Sequence, residues 1–208
     1  MALRVPVAIL CVLALAVTGC GGSSKPKNGS GVSGKGKSSK YAGAVATPPK
    51  PAPPLMLRDS NGKQVDIAKY RGKALLVTFI YSHCPDVCPL IVGNLHTTLA
   101  RLGPRAAKVQ IVAVSTDPRG DKPAAVNKFV ASHQMTGKME YLLGSKSQLA
   151  SVWKAWGIVS RPDKKNPDQV EHSAPIYGVS ASGKITTLYP SNFEPAMIVH
   201  DAPVLAGE

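Results

Sequence analysis

The 208-residue chain has room for one domain of about 150 residues plus appendages, so its core needs no disulfide staples. Its 25 Lys and Arg against 12 Asp and Glu give a formal charge of +13, which alone points to nucleic acid or an anionic membrane. The distribution argues against nucleic acid. Arg4, Lys25, Lys27, Lys35, Lys37, Lys40 and Lys50 precede residue 55 with no acid among them, which leaves 18 basic and 12 acidic residues, net +6, for 55–208. An aromatic content of 5% offers no set of stacking platforms for bases.

Residues 1–19 read as a targeting segment: Arg4 supplies the positive charge, and positions 5–17 are apolar, interrupted only by Pro6. The run is short for a bilayer span. Val17-Thr18-Gly19-Cys20 resembles the lipobox of bacterial lipoproteins, and the resemblance implies cleavage before Cys20 and lipidation of its thiol. The plainer alternative is a secretory peptide with an incidental cysteine; both imply export. Residues 20–54 are rich in Gly, Ser, Lys, Pro and Ala and read as a tether with a root-mean-square reach of about 30 Å. A domain is expected over 55–208.

Within that domain, Asn61-Gly62 signals a hairpin between Leu55-Met56-Leu57 and Val65. Positions 74–80 (ALLVTFI) form an apolar, branched run that suits a strand buried on both faces. Leu90, Ile91, Asn94, Leu95, Thr98, Leu99 and Leu102 recur at helical spacing until Gly103-Pro104 stops them. A second buried strand is predicted over 109–114 and helices over 123–133 and 147–156. Gly157 closes the last helix, and a strand pair follows at 176–179 and 184–189. This alternation predicts an α/β fold with a central mixed sheet flanked by helices and an N-terminal β-hairpin. Trp153 and Trp156 read as core, and Met56, Met135, Met139 and Met197 show no clustered spacing that would make a metal site.

The chemistry lies where the first buried strand ends, in Tyr81-Ser82-His83-Cys84-Pro85-Asp86-Val87-Cys88-Pro89. With Cys11 in the targeting segment and Cys20 in the lipobox, Cys84 and Cys88 are the remaining thiols. Four residues apart at a strand-to-helix junction, they face the same way one turn apart, and the helix N-terminus favours their thiolates. Two soft thiolates supply most of a Cu(I) site, and an added imidazole lets the set hold Cu(II) as well. The bland alternative is a structural disulfide of an exported protein.

TFIYSHCPDVCP looks like the signature of the Sco/SenC family of copper-binding, thioredoxin-like assembly proteins for cytochrome c oxidase. Ser115-Thr116-Asp117-Pro118-Arg119-Gly120-Asp121-Lys122-Pro123 matches the family's S-x-D-P-x-x-D-x-P loop, and Val170-Glu171-His172-Ser173 matches its distal histidine segment. The resemblance implies a thioredoxin-like fold and copper held by Cys84, Cys88 and His172. Asp117 either tunes the site from beside it or caps the following turn, and Asp86 caps the helix. His83, in a strand-to-loop transition, is expected to point away from Cys84.

The implied function is a copper metallochaperone, lipid-anchored at the extracytoplasmic face of a bacterial cell membrane, that delivers copper to the binuclear centre of cytochrome c oxidase subunit II. Other copper chaperones or thiol reductants would load or reduce it. The alternative is a thiol-disulfide oxidoreductase in which Cys84 and Cys88 reduce the oxidase's copper-ligand cysteines. Two neighbouring enzyme classes fit less well. Thioredoxins proper carry CxxC, and thiol peroxidases carry P-x-x-x-T/S-x-x-C, where this chain has Val77 and Tyr81.

Overall fold

The computed structural model describes residues 39–166 and 169–207. The targeting segment, Cys20 and most of the expected tether lie outside the described residues.

The strands are β1 (Ala44–Pro51), β2 (Met56–Asp59), β3 (Gln64–Asp66), β4 (Ala74–Ile80), β5 (Val109–Ser115), β6 (Met139–Leu143), β7 (Ser160–Pro162), β8 (Val170–His172), β9 (Ile176–Val179) and β10 (Lys184–Tyr189). The α-helices are α1 (Val87–Leu102), α2 (Pro123–Ser132), α3 (Lys146–Trp156) and α4 (Pro195–Leu205). Eight strands form one mixed sheet in the order β1-β10-β9-β4-β5-β6-β2-β3, and β7 pairs with β8 as a separate ribbon. Strands β4, β5 and β6 run parallel, with Ala74 opposite Val109 and Ile111 opposite Met139, and the remaining pairings are antiparallel.

All of β4 is buried, as its near-continuous apolar run requires. Strand alternation divides its side chains between two cores. Ala74, Leu76 and Ile80 pack with Ile91 and Leu95 of α1, Val126 of α2 and Ile198 of α4. Leu75, Val77 and Phe79 pack on the opposite face with Leu149, Val152 and Trp156 of α3. Helix α3 starts with a capping box, Ser145 with Gln148, and ends at Gly157, whose φ of 69° is the left-handed conformation that glycine adopts without strain. The Asn61-Gly62 turn joins β2 to β3 as expected, with Gly62 at φ 83°.

The expected tether reaches too far. Residues 44–51, inside the stretch 20–54, form β1 on the sheet edge, with Ala44 opposite Leu188 and Pro51 opposite Lys184. Their prolines suit an edge, where N–H groups on the open side are not needed. Ahead of β1, the Ala42 and Gly43 N–H groups donate to the buried Asp201 carboxylate on α4 at 2.7 and 2.9 Å, and Tyr189 OH donates to it at 2.8 Å. Burial alone would raise the Asp201 pKa, but His200 and these donors outweigh it and hold the carboxyl below its usual range. Strands β6, β7 and β8 and helix α4 were not foreseen from the sequence. Among the described residues no helix is long and apolar enough to cross a membrane.

Candidate metal centre

The site forms where β4 ends. Leaving Ile80, the chain turns through residues 81–85 and enters α1, whose N-cap is Asp86 with its carboxylate accepting Val87 N–H at 2.5 Å. Cys84 sits in the turn and Cys88 in the first turn of α1. Both are free thiols and buried, Cys88 completely. The Cys88 N–H donates to Cys84 Sγ at 3.3 Å, so one of the helix's orphan donors is spent on sulfur.

The electrostatics separate the two thiols. The Cys84 pKa is lowered well below the ordinary thiol range, first by the hydrogen bond from the Cys88 thiol, against the opposing effect of burial, then by His172 and the Asp86 and Cys88 N–H groups. Cys88 is pushed up by the same shared proton, by its deeper burial and by repulsion from Cys84. The two thiols are thus pushed in opposite directions, Cys84 toward the thiolate and Cys88 toward the protonated thiol. Tyr81 is raised to about 12 by burial and by the adjacent Cys84 charge.

His172 ends β8, and its Nε2 lies 3.8 Å from Cys88 Sγ although the two are 84 positions apart. Its Nδ1 is 3.2 Å from the carbonyl oxygen of Ser173. The β7–β8 ribbon carries it there, through the pairing of His172 with Ser160. Tyr81 stands between two imidazoles, edge-on to His172 at 5.5 Å and to His83 at 4.8 Å.

His83 Nε2 meets Asp117 Oδ2 at 3.2 Å. Asp117 closes the turn, with Oδ1 accepting Arg119 N–H at 2.9 Å, and its Oδ2 meets His83 rather than either sulfur or His172. Sequence reasoning missed Tyr81 as the spacer between the imidazoles. It also missed Asp121, which accepts Ser82 N–H at 2.8 Å. The second acid of the S-x-D-P-x-x-D-x-P match was the available signal for Asp121, but its partners come from the turn after β4 and from strands β5 and β6.

Among the described residues no three His, Cys, Asp or Glu side chains are already drawn into a metal cage. The donor chemistry and spacing nevertheless suit a soft ion. Metal bonds of about 2.3 Å to sulfur and 2.0 Å to nitrogen, opened to about 120°, span about 3.7 Å, close to the 3.8 Å between Cys88 Sγ and His172 Nε2.

A mixed sheet with helices on both faces, a CxxxC dithiol at the C-terminal end of a central parallel strand and an imidazole delivered from a distant ribbon define a thioredoxin-like dithiol protein of the metal-handling kind. The chain belongs to the SCO1/SenC family, whose family model matches residues 46–205. It is 29% identical over 142 residues to a SCO1 protein homolog from Bacillus subtilis, covering 65% of this chain and 72% of that protein. It spans about half the length of the mitochondrial SCO2 relatives it matches, 51% for that of Bos taurus. A solved structure of Bradyrhizobium japonicum ScoI with copper bound superposes at a TM-score of 0.66 with 29% identity, over 74% of this chain and 98% of that one. BsSco, solved as a member of the Sco family of cytochrome c oxidase assembly proteins in which a disulfide switch was identified, gives a TM-score of 0.65 at 25% identity, over 76% of this chain and 95% of that one.

Proposed function

We propose that this protein is a copper metallochaperone that takes copper on Cys84, Cys88 and His172 and passes it to the binuclear copper centre of cytochrome c oxidase subunit II. The observation that carries the reading is the approach of His172 Nε2 to Cys88 Sγ at 3.8 Å across 84 positions of sequence. A structural disulfide needs no such imidazole, whereas Cu(II) prefers one to a purely sulfur set. The copper-bound Bradyrhizobium relative and the family's place in oxidase assembly support the same cargo and client. The lipobox supports tethering through Cys20 at the extracytoplasmic face of a bacterial membrane, where other copper chaperones or thiol reductants would load or reduce the site. Anaerobic copper titration of the reduced domain tests the reading: one copper per chain is expected, with a sulfur-to-copper charge-transfer band in the Cu(II) form. No uptake at stoichiometric copper overturns it.

The split of the two thiols favours a second activity of the same pair. The Cys84 thiolate attacks a client disulfide, the client's leaving sulfur takes a proton, and Cys88, once deprotonated, resolves the mixed disulfide. The client gains two electrons and two protons, one proton released by Cys88 and one taken from water, and Cys84–Cys88 becomes the disulfide. Oxidase assembly that survives His172→Ala and fails in Cys84→Ser selects this reading over copper delivery.

A further inference from the structure

The loop between β5 and α2, residues 116–122, supplies none of the proposed copper ligands, yet it holds the chain just ahead of Cys84. Thr116 N–H donates to Ile80 O at 2.9 Å, extending the contact of β5 with β4 beyond their last paired residues. Asp121 Oδ1 accepts Ser82 N–H at 2.8 Å, and Asp117 Oδ2 meets His83 Nε2 at 3.2 Å. Gly120 lies under the His83 ring. A Cβ at this position would collide with His83 Cε1 and stand 2.6 Å from Asp117 Oδ2, so only glycine lets ring and loop meet.

Asp121 is 5% exposed and its other oxygen is also committed. Oδ2 accepts Ser115 Oγ–H at 2.6 Å and Tyr141 OH at 2.9 Å, and the same hydroxyl lies 3.1 Å from Ile80 O. The carboxylate is thus fixed from β5 and β6 before it reaches Ser82. Burying such a group is costly, and a fully satisfied network returns a single geometry for that cost.

We propose that residues 116–122 are a clamp, with Asp121 its positioning residue, that fixes the Cys84 end of the dithiol turn against Cys88 on α1. Disulfide bonding requires a narrow range of separations and dihedral angles, so a turn free to drift changes how readily the sulfurs join and how they present to a metal. The inference rests on the redox-active, copper-binding dithiol proposed above.

The test equilibrates the domain with reduced and oxidised glutathione without oxygen. Protein dithiol and glutathione disulfide exchange for protein disulfide and two glutathione thiols, and acid quenching with alkylation reads the ratio. Asp121→Ala is expected to move the equilibrium constant by at least about tenfold and to broaden the Cu(II) charge-transfer band. In Asp121→Asn, whose side-chain oxygen still accepts Ser82 N–H, the constant returns to within about threefold of wild type. Asp121→Ala with unchanged near-ultraviolet circular dichroism and a constant within about twofold overturns the clamp, as does a shift that Asp121→Asn leaves in place. Should Asp121→Ala not fold, Tyr141→Phe decides: it removes one of the two donors that fix Asp121 Oδ2, and an unchanged constant with an unchanged Cu(II) band overturns the proposal. A wild-type domain that forms no disulfide with glutathione and takes up no copper refutes the underlying reading instead, before any variant is made.

Discussion

The Cys88 N–H donates to Cys84 Sγ at 3.3 Å, so the sulfur nearer the N-terminus occupies the place a capping oxygen takes at other helix starts. The hydrogen bond from the Cys88 thiol is the main cause that lowers the Cys84 pKa and raises that of Cys88, and this N–H adds to the lowering. A thiol with a lowered pKa stays ionised as the pH drops through neutrality. The iodoacetamide reaction rate of Cys84 in the reduced protein is therefore expected to stay nearly flat from pH 8 to 6. A free cysteine loses about a hundredfold in thiolate over the same interval. Peptide mapping should find Cys88 unmodified throughout. A Cys84 rate that falls tenfold per pH unit contradicts the assignment.

Replacing His172 with Ala should leave disulfide formation intact, because that depends on the two cysteines alone. Cu(II) affinity should fall by more than about a hundredfold, the upper range for losing a mere supporting partner, and Cu(I) much less. Equal Cu(II) binding with and without the imidazole removes His172 from the ligand set, and His83 then becomes the residue to test.

A chain beginning at Leu55 lacks β1 and both backbone donors to Asp201. Leaving a buried acceptor short of partners costs about 2–4 kcal/mol, roughly 5–15 °C in melting temperature for a domain of this size. A chain beginning at Ser39 retains the strand and both donors. Calorimetry of the two should show that difference, and equal melting temperatures to within about 2 °C would mean β1 contributes nothing.

Cys20→Ala should release the protein from membranes or leave it unprocessed, since the lipobox thiol is the proposed point of acylation. Fractionation and mass spectrometry of the mature N-terminus check this directly. An unmodified mature end at another residue refutes the anchor.

Much of the sheet was legible because β4, β5, β9 and β10 carry unbroken or alternating apolar runs, and α1 and α3 repeat at helical spacing between recognisable stops. Strand β1 was hidden by its prolines, which in sequence read as a linker and in the fold are tolerated on an edge. Helix α4 buries Asp201 and contains Pro203, so charge and proline masked a segment whose apolar residues cover the sheet. The three-residue strands β7 and β8 are too short to show a period. For that reason His172 entered the candidate site by family resemblance alone, while spacing brought Cys84 and Cys88 together without deciding between a metal site and a structural disulfide. The part played by Asp121 depends on contacts from the turn after β4 and from β5 and β6 that no local window contains.

The direction of β1 determines where anything upstream must attach. It runs antiparallel to β10, β10 to β9 and β9 to β4, so β1 starts nearer the end where β4 finishes at the dithiol turn, with Ala44 level with Val77. Three strand spacings, about 14 Å, separate β1 from β4. A leash leaving the domain there pulls on the pole that carries Cys84, not on the far one. If the proposed acylation of Cys20 and the proposed oxidase client hold, pull transmitted to β1 would turn the sulfurs toward the membrane that carries the client.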